Sequence, residues 1–537
     1  MNERPTSAEL AVFRALIEAM LEEMGEALCH GAFSQNIKER RDYSCALFDS
    51  SGDLICGANH IPVHLGSMDT SCKAAINSIA MHSGDAVILN DPFSGGTHLP
   101  DITCIFPFFA DVAKRPSPLD RRPDAASEPA VPTFYLGARA HHSDVGGIAP
   151  GSLPLSKTLG EEGLIIKPKL ILKSGELVKA VIDELRHHSR QPDERAGDMR
   201  AQIASGAVGL KRLAELADSR GIENIKRESR ELIAYSRRVL ISYLGTKKGS
   251  RGTGSASLDE IPGESGAEIV CQVELSHLPE TKLTFDFTRS SDQHLGCLNA
   301  NEAIVRSAVL YSLRLFLPDD TPTTSGLLEP VKISLRKGSL LSPNPGAAVA
   351  GGNVETSQAI VEAVLHALGD CGWDVPASSQ GTMNNVLLGG DGFSFYETIG
   401  GGAGAIQGYH GASGIQTHMT NTRNTPIEAI ERVFPIRIKS YRIRDGSGGN
   451  GEFRGGDGIM REFEVLEKCQ CTILSGHRQK GPSGIGGASD GHPGRNILIR
   501  DGIETELPSR AMIELNPGDV LKIETPGGGG YGLKRVV

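Results

Sequence analysis

The chain carries a single tryptophan in 537 residues, and Phe, Trp and Tyr together make up only 5% of it. A base-stacking surface for single-stranded nucleic acid needs more aromatic area than that. Excess positive charge is missing too: 55 Lys and Arg face 65 Asp and Glu, giving a net charge of −10. Phosphate backbones attract the opposite sign, so nucleic acid is not an expected partner. No apolar run is long enough to span a bilayer. The start, Met1-Asn2-Glu3-Arg4-Pro5-Thr6, lacks the basic and apolar segments of a secretory signal. The ten cysteines include no C-x-x-C pair, and only Cys469 and Cys471 stand close together. The others sit in apolar settings such as Tyr43-Ser44-Cys45-Ala46, the pattern of buried free thiols in a reducing compartment. A cytoplasmic location and no membrane partner are expected. Neither a G-x-x-x-x-G-K-[ST] phosphate loop nor an H-E-x-x-H metalloprotease helix occurs.

What is abundant is glycine, at 65 residues, grouped in particular places and not spread as low-complexity tracts. Such grouping predicts tight turns and close backbone approaches. Two groups satisfy G-x-G-x-x-G: Gly446, Gly448 and Gly451, and Gly527, Gly529 and Gly532. A dinucleotide fingerprint must open a helix inside a βαβ unit. The first match runs into Glu452-Phe453-Arg454-Gly455-Gly456, which is no helix start, and the second lies five residues from the end of the chain. Neither reads as a nucleotide site.

An apolar fraction of 39% and a mean hydropathy of −0.18 suit a soluble protein with a large core. The spacing of Leu10, Phe13, Ile17, Met20 and Met24 predicts a helix over 7–29, with Thr6 and Glu9 as a capping box. Short strands are expected at 45–48 and 86–89, with a hairpin turn at Gly52-Asp53. Strands at 102–109 and 133–138 flank a proline-rich, charged stretch, 111–132, which reads as an exposed insertion. Residues 198–244 read as two helices divided near Gly221, and 245–257 as a flexible linker. Strands follow over 266–288, then helices at 300–316 and 356–369, the second with Asn353 to Ser357 supplying capping residues. Beyond 430 short strands alternate with glycine turns. The expected fold is α+β: an N-terminal α/β metal-site region over 1–245, a central α/β region over 246–430 and a β-rich part over 431–537.

The residues with the most chemistry lie in Asn90-Asp91-Pro92-Phe93-Ser94-Gly95-Gly96-Thr97-His98-Leu99-Pro100-Asp101. His98 and Asp101 stand three apart on a turn stiffened by Pro100, so both side chains can face one point if the turn is helix-like. A lone H-x-x-D more often caps a turn and satisfies a carbonyl. A second cluster, Arg139-Ala140-His141-His142-Ser143-Asp144, shifts the balance, because imidazole and carboxylate together bind Zn, Mn or Fe ions. His141 and His142 are adjacent, so in a strand only one of them can join His98. Asp144 is then a candidate for orienting a ligand ring. Lys38-Glu39-Arg40-Arg41-Asp42 taken alone is an ordinary solvated helix face. His60 and His64 could line the same cavity, or be core histidines.

These motifs resemble the hydantoinase B / 5-oxoprolinase family, which includes B subunits of N-methylhydantoinase and caprolactamase and subunits of acetone and acetophenone carboxylases. The resemblance extends through Ile37–Asp42, His60–Met68, Gly197–Gln202, Gly352–Gln358, Tyr396–Gly402, Thr420–Arg423, Phe453–Gly458 and Thr525–Gly532. It departs at His188-Ser189-Arg190-Gln191-Pro192, where the family often has Asn first, and at Thr324, where it often has Asn before glycine. Both departures bear on the substrate. The resemblance implies a divalent metal held by Asp42, His98, Asp101 and His141, with His142 the alternative if the alignment slips by one. It implies His142 or Asp144 as a group that orients a ligand or moves a proton. It also implies a hetero-oligomer with a hydantoinase A-like subunit that binds ATP. The expected function is ATP-dependent opening of a cyclic amide such as a hydantoin, 5-oxoproline or another lactam. A ketone carboxylase subunit and a non-catalytic scaffold subunit are the alternatives.

Overall fold

The computed structural model describes residues 5–58, 60–110 and 131–533; nearly all of the predicted 111–132 insertion lies outside them. The helices are α1 (Ser7–Gly31), α2 (Gln35–Lys38), α3 (Met68–Ser78), α4 (Lys179–His188), α5 (Pro192–Arg220), α6 (Ile222–Gly245), α7 (Glu302–Arg314), α8 (Ser357–Asp370) and α9 (Ile427–Val433). Helix α1 starts as expected. Glu9 N–H donates to the Thr6 hydroxyl at 3.2 Å, and Thr6 N–H donates to the Glu9 carboxylate at 2.8 Å. The architecture is α+β, as the sequence predicts.

The N-terminal sheet holds β1 (Tyr43–Asp49), β2 (Leu54–Gly57), β3 (Ala86–Leu89), β4 (Asp101–Phe108), β5 (Phe134–His141), β6 (Lys169–Lys173) and β7 (Glu176–Leu177), in the order β2-β1-β5-β4-β3-β6-β7. Successive side chains of a strand face opposite ways. Cys45 and Leu47 accordingly join a core with Phe13, Ile17 and Met24 of α1 and Met199 of α5, while Ala46 and Phe48 join another with Met68 and Cys72 of α3. The sheet is covered on both faces, which is why its central strands read as continuous apolar runs. Helices α5 and α6 divide at Gly221, whose φ of +80° suits glycine.

The 245–257 segment is not a flexible linker. Most of it is strand β8 (Ser250–Leu258), paired along its length with β9 (Ala267–Ser276); β10 (Lys282–Asp286) and β11 (Val331–Ser334) complete that sheet. Its glycines serve packing: a Cβ on Gly252 would come 2.4 Å from the Ala367 carbonyl oxygen of α8, and one on Gly254 would come 2.3 Å from Ala367 N. A composition that resembles a linker is here a strand pressed against a helix.

β12 (Asn385–Gly390) and β13 (Phe393–Glu397) pair into a sheet with two C-terminal strands, β16 and β19. The C-terminal part is β-rich, as predicted: β14 (Ile436–Arg444), β15 (Gly458–Val465), β16 (Cys469–Leu474), β17 (Arg495–Arg500), β18 (Ile503–Leu507), β19 (Arg510–Leu515) and β20 (Val520–Glu524). One sheet therefore crosses position 430. Beside it the two G-x-G-x-x-G runs meet in a seam of glycine loops. A Cβ on Gly402, Gly448, Gly455 or Gly528 would approach another backbone oxygen to 2.0 Å. Gly528 N–H donates to Gly456 O and Gly529 N–H to Ser378 O. These glycines hold backbone against backbone.

Candidate metal centre

The turn carrying His98 is built by Asn90. Its buried amide donates to Leu99 O at 2.7 Å and Leu164 O at 2.9 Å and accepts from Ile166 N at 2.6 Å, so one side chain ties both ends of the turn to a third segment. Asn301 donates to Pro92 O and Gly96 O from the other side. Asp101 N–H donates to His98 O at 3.1 Å, the helix-like closure that aims an i, i+3 pair at one point. Asp101 opens β4 and His141 closes β5, and the two are direct partners across the antiparallel ladder. His141 N–H donates to Asp42 O at 3.0 Å, which brings the residue before β1 to the same edge of the sheet.

The result is a compact donor set. His98 Nε2 lies 3.0 Å and His141 Nδ1 3.1 Å from Asp101 Oδ1. One ligand atom from each of these three residues falls within 4.8 Å of the others. Atoms around a tetrahedral ion at zinc–nitrogen distance are about 3.3 Å apart, so the spacing fits. Asp42 lines the same cavity and is buried, with the Arg40 guanidinium 4.0 Å from its carboxylate. The cavity measures about 20 Å³, room for one water beside the converging donors. Two buried ring nitrogens, His98 Nδ1 and His141 Nε2, have no hydrogen-bond partner among the described residues. They are the nitrogens turned away from Asp101. Two imidazoles and a carboxylate, closely spaced around an atom-sized void, suit a divalent metal.

Asp101 divides its oxygens. Oδ2 faces His64 Nε2 at 3.2 Å, the Thr97 hydroxyl at 3.1 Å and Asn353 Nδ2 at 3.3 Å, which leaves Oδ1 for the converging histidines. Because a carboxylate only accepts, His64 Nε2 carries the hydrogen, and His64 Nδ1 accepts from the Ser44 hydroxyl at 2.8 Å. Burial pushes the Asp101 carboxyl up, but the His98 and His64 imidazoles outweigh it and hold the group well below the carboxylate range. Burial lowers the His64 imidazole, with Asp101 opposing. The Tyr396 ring stacks on His141 with centroids 5.0 Å apart at 28°, and the Arg40 guanidinium lies 4.4 Å from the Tyr396 centroid.

His142 and Asp144 do not reach this cavity. His142 accepts from Arg195 through Nδ1 at 2.9 Å and donates to Gln202 through Nε2 at 3.1 Å. Burial and the Arg195 charge push its imidazole down to about 3, so it stays neutral. Asp144 accepts from Gly146 N, Gly151 N and both the backbone and guanidinium of Arg190. Adjacent residues at a strand end point opposite ways, and His142 took the side facing α5. The geometry gives both residues the work of anchoring the loop after β5, and the expected proton-moving role is not supported. The solvated-face reading of 38–42 is also overturned: Arg40 is fully buried, bonded to Asn36, Tyr396 O and Thr398. Of the His60 and His64 pair only His64 enters the site; His60 Nδ1 accepts from Cys45 N at 3.1 Å. Tyr396, Thr97 and Asn353 lie in runs that carry the family resemblance, but nothing in those runs marks them as lining the site. Asn353 in particular reads as a cap, yet it makes no cap bond to α8 and turns to His98.

The family of this fold and site is the hydantoinase B/oxoprolinase family, whose description matches residues 6–534; the chain belongs to it. It is 35% identical over 548 residues to 5-oxoprolinase 1 of Arabidopsis thaliana, covering 98% of this chain and 42% of that protein. It is 28% identical to the B component of a putative D-/L-hydantoinase of a Pseudomonas species, covering 96% of this chain and 88% of that one. Its fold matches the ATP-dependent caprolactamase of Pseudomonas jessenii with a TM-score of 0.87 at 26% identity, covering 99% of this chain and 92% of that chain. The chain thus spans about two fifths of the 5-oxoprolinase relatives and most of the separate hydantoinase component.

Proposed function

We propose that this chain is the metal-bearing half of an ATP-dependent cyclic-amide hydrolase that opens a lactam, hydantoin or 5-oxoproline ring. The observation that carries the reading is the convergence of His98, Asp101 and His141 beside Asp42. The family and the oxoprolinase and caprolactamase relatives supply the reaction class. His98, Asp101, His141 and Asp42 hold the ion. A divalent ion so held polarises an oxygen and makes water more acidic. His64, Thr97 and Asn353 fix Asp101 so that Oδ1 faces inward. Tyr396 holds the His141 ring in plane from below. His142 and Asp144 fix the loop that follows His141 and touch no reacting atom.

An unstrained lactam is protected by amide resonance, so ATP supplies the drive. No phosphate-loop motif occurs in this chain, and the chain matches only two fifths of the longer oxoprolinases. ATP therefore binds a hydantoinase A-like subunit that activates the ring carbonyl, and the two chains form a hetero-oligomer in the cytoplasm. Expression with the product of the neighbouring gene tests this: ATP-dependent release of ring-opened product is expected. His98→Ala should bind no zinc or manganese and lose at least about a hundredfold in kcat. Full turnover in a metal-free His98→Ala enzyme overturns the assignment.

A further inference from the structure

Asn353 lines the cavity, is 4% exposed, and has a side-chain oxygen with no partner among the described residues. Its placement is tightly held. The Gly352–Thr356 turn is of π type, closed by Thr356 N–H to Gly351 O at 3.2 Å and Ser357 N–H to Gly352 O. Such turns concentrate at functional sites. The Thr356 hydroxyl donates to Leu298 O, the Ser357 hydroxyl donates to Asn353 O at 2.8 Å, and a Cβ on Gly352 would come 1.9 Å from Asn299 O. The backbone beneath Asn353 therefore has little freedom to move.

The amide's orientation follows from its neighbour. Nδ2 sits 3.3 Å from Asp101 Oδ2 and 3.1 Å from His98 Nε2. A carboxylate oxygen can only accept, so the NH2 end must face Asp101 and Oδ1 must be the end left over. A buried acceptor without a donor costs about 1–3 kcal/mol. No cap bond or core contact accounts for that cost, and the void beside it is the size of one water.

We propose that Asn353 is the positioning residue for the attacking water: Oδ1 accepts one hydrogen of a single water seated in the cavity, while Nδ2 stays tethered to Asp101. The amide takes a hydrogen bond and no proton. It turns a lone pair of the water away from Oδ1 and toward the substrate carbonyl. This inference rests on the metal reading of the site, and the experiment separates the two.

Full-length protein is titrated with Co²⁺, and the visible absorption of the loaded protein is followed against pH for the wild type, Asn353→Ala and Asn353→Asp. Both variants should take up Co²⁺ with affinity within about threefold of the wild type. The pH midpoint of the absorption change should move in Asn353→Ala by at least about half a unit. In Asn353→Asp, which keeps the size of the side chain, it should rise by about one unit because the added negative charge favours the more protonated form. With the partner subunit, kcat of Asn353→Ala should fall about tenfold or more at unchanged KM. Co²⁺ uptake with an unmoved midpoint and unchanged kcat overturns the role of Asn353 and leaves the metal reading standing. A loss of Co²⁺ affinity beyond about tenfold in both variants also overturns it, making Asn353 a brace of the ligands. No uptake by the wild type overturns the metal reading and this inference together.

Discussion

Asp101 has two oxygens and five polar neighbours, and the way these divide defines the site. His64, Thr97 and Asn353 take Oδ2; His98 and His141 converge on Oδ1. Partners that hold a ligand in this way typically change metal affinity by about 10–100-fold when removed. His64→Gln should therefore weaken zinc binding by about tenfold or more in a chelator competition. His142→Gln, which disturbs only the Arg195 and Gln202 bonds, should lower thermal stability and leave zinc affinity within about twofold; equal effects of the two variants would refute this division. At this scale the sequence was informative where residue types cluster. His98, Asp101 and His141 were legible because imidazole and carboxylate recur beside glycines. The choice between His141 and His142 came from the family resemblance. His64 and His60 could not be told apart, since one faces Asp101 and the other a backbone amide only after a 3₁₀ turn at Pro62–His64 is formed. Arg40 sits in a charge run, and its burial under Thr398 and Tyr396 depends on a strand more than 350 positions away.

The elements follow local pattern where one face is apolar and depart from it where glycine packs. Helix α1, the α5–α6 division and the buried strands β3, β4 and β5 fall where periodicity put them. Strand β8 does not, because its Gly-Thr-Gly texture reads as linker when the covering helix α8 is out of view. The same use of glycine joins α1 to α5 and the sheet. A Cβ on Gly206 would come 2.4 Å from the Phe106 ring, and one on Gly209 would come 2.3 Å from Met24 Sδ. Alanine in a helix interior gains about 1 kcal/mol in propensity over glycine, but forcing atoms into a packed core costs about 1–3 kcal/mol. The Phe106 ring is rigid and lies on β4, the strand that Asp101 opens, whereas a methionine can re-route its thioether. Gly206→Ala should thus lower the denaturation midpoint more than Gly209→Ala. Equal midpoints in chemical denaturation would show that β4 yields as easily as Met24.

Across the whole molecule, the central and C-terminal regions are joined by more than a shared sheet. Glu362 of α8 meets His477, which follows β16, at 3.2 Å. Burial pushes the Glu362 carboxyl up, but the His477 charge and hydrogen bond bring it down to about 2. Burial lowers His477, and Glu362 outweighs that to raise it to about 9. His477, with a folded value above its ordinary 6.5, contributes stability that is complete below 6.5 and fades as pH rises through 9. Glu362, with a depressed value, contributes above 4.5 and fades as pH falls toward 2. The gap in melting temperature between wild type and His477→Gln should therefore be widest between about pH 4.5 and 6.5 and close toward pH 9 and above. A gap that is constant over about pH 6–10 would show that the pair is not charged. The α+β class and the β-rich end were legible at this scale from texture alone. The sheet that crosses position 430 was not, because strand partners far apart in sequence leave no local mark.

The glycine seam beside that sheet has a temporal consequence. The loops at 400–412 and 447–456 bond to each other and to the run Pro526–Tyr531, which takes Gly402 N–H, Ala405 N–H and Gly449 N–H. Tyr396, which stacks on His141, lies only a few residues before the first of those loops. A growing chain on the ribosome must then wait for residues 526–531, long after residues 42–141 have emerged, before this corner can close. The candidate metal centre, begun by residues 42–141, gains a settled floor only once residues 526–531 have been made.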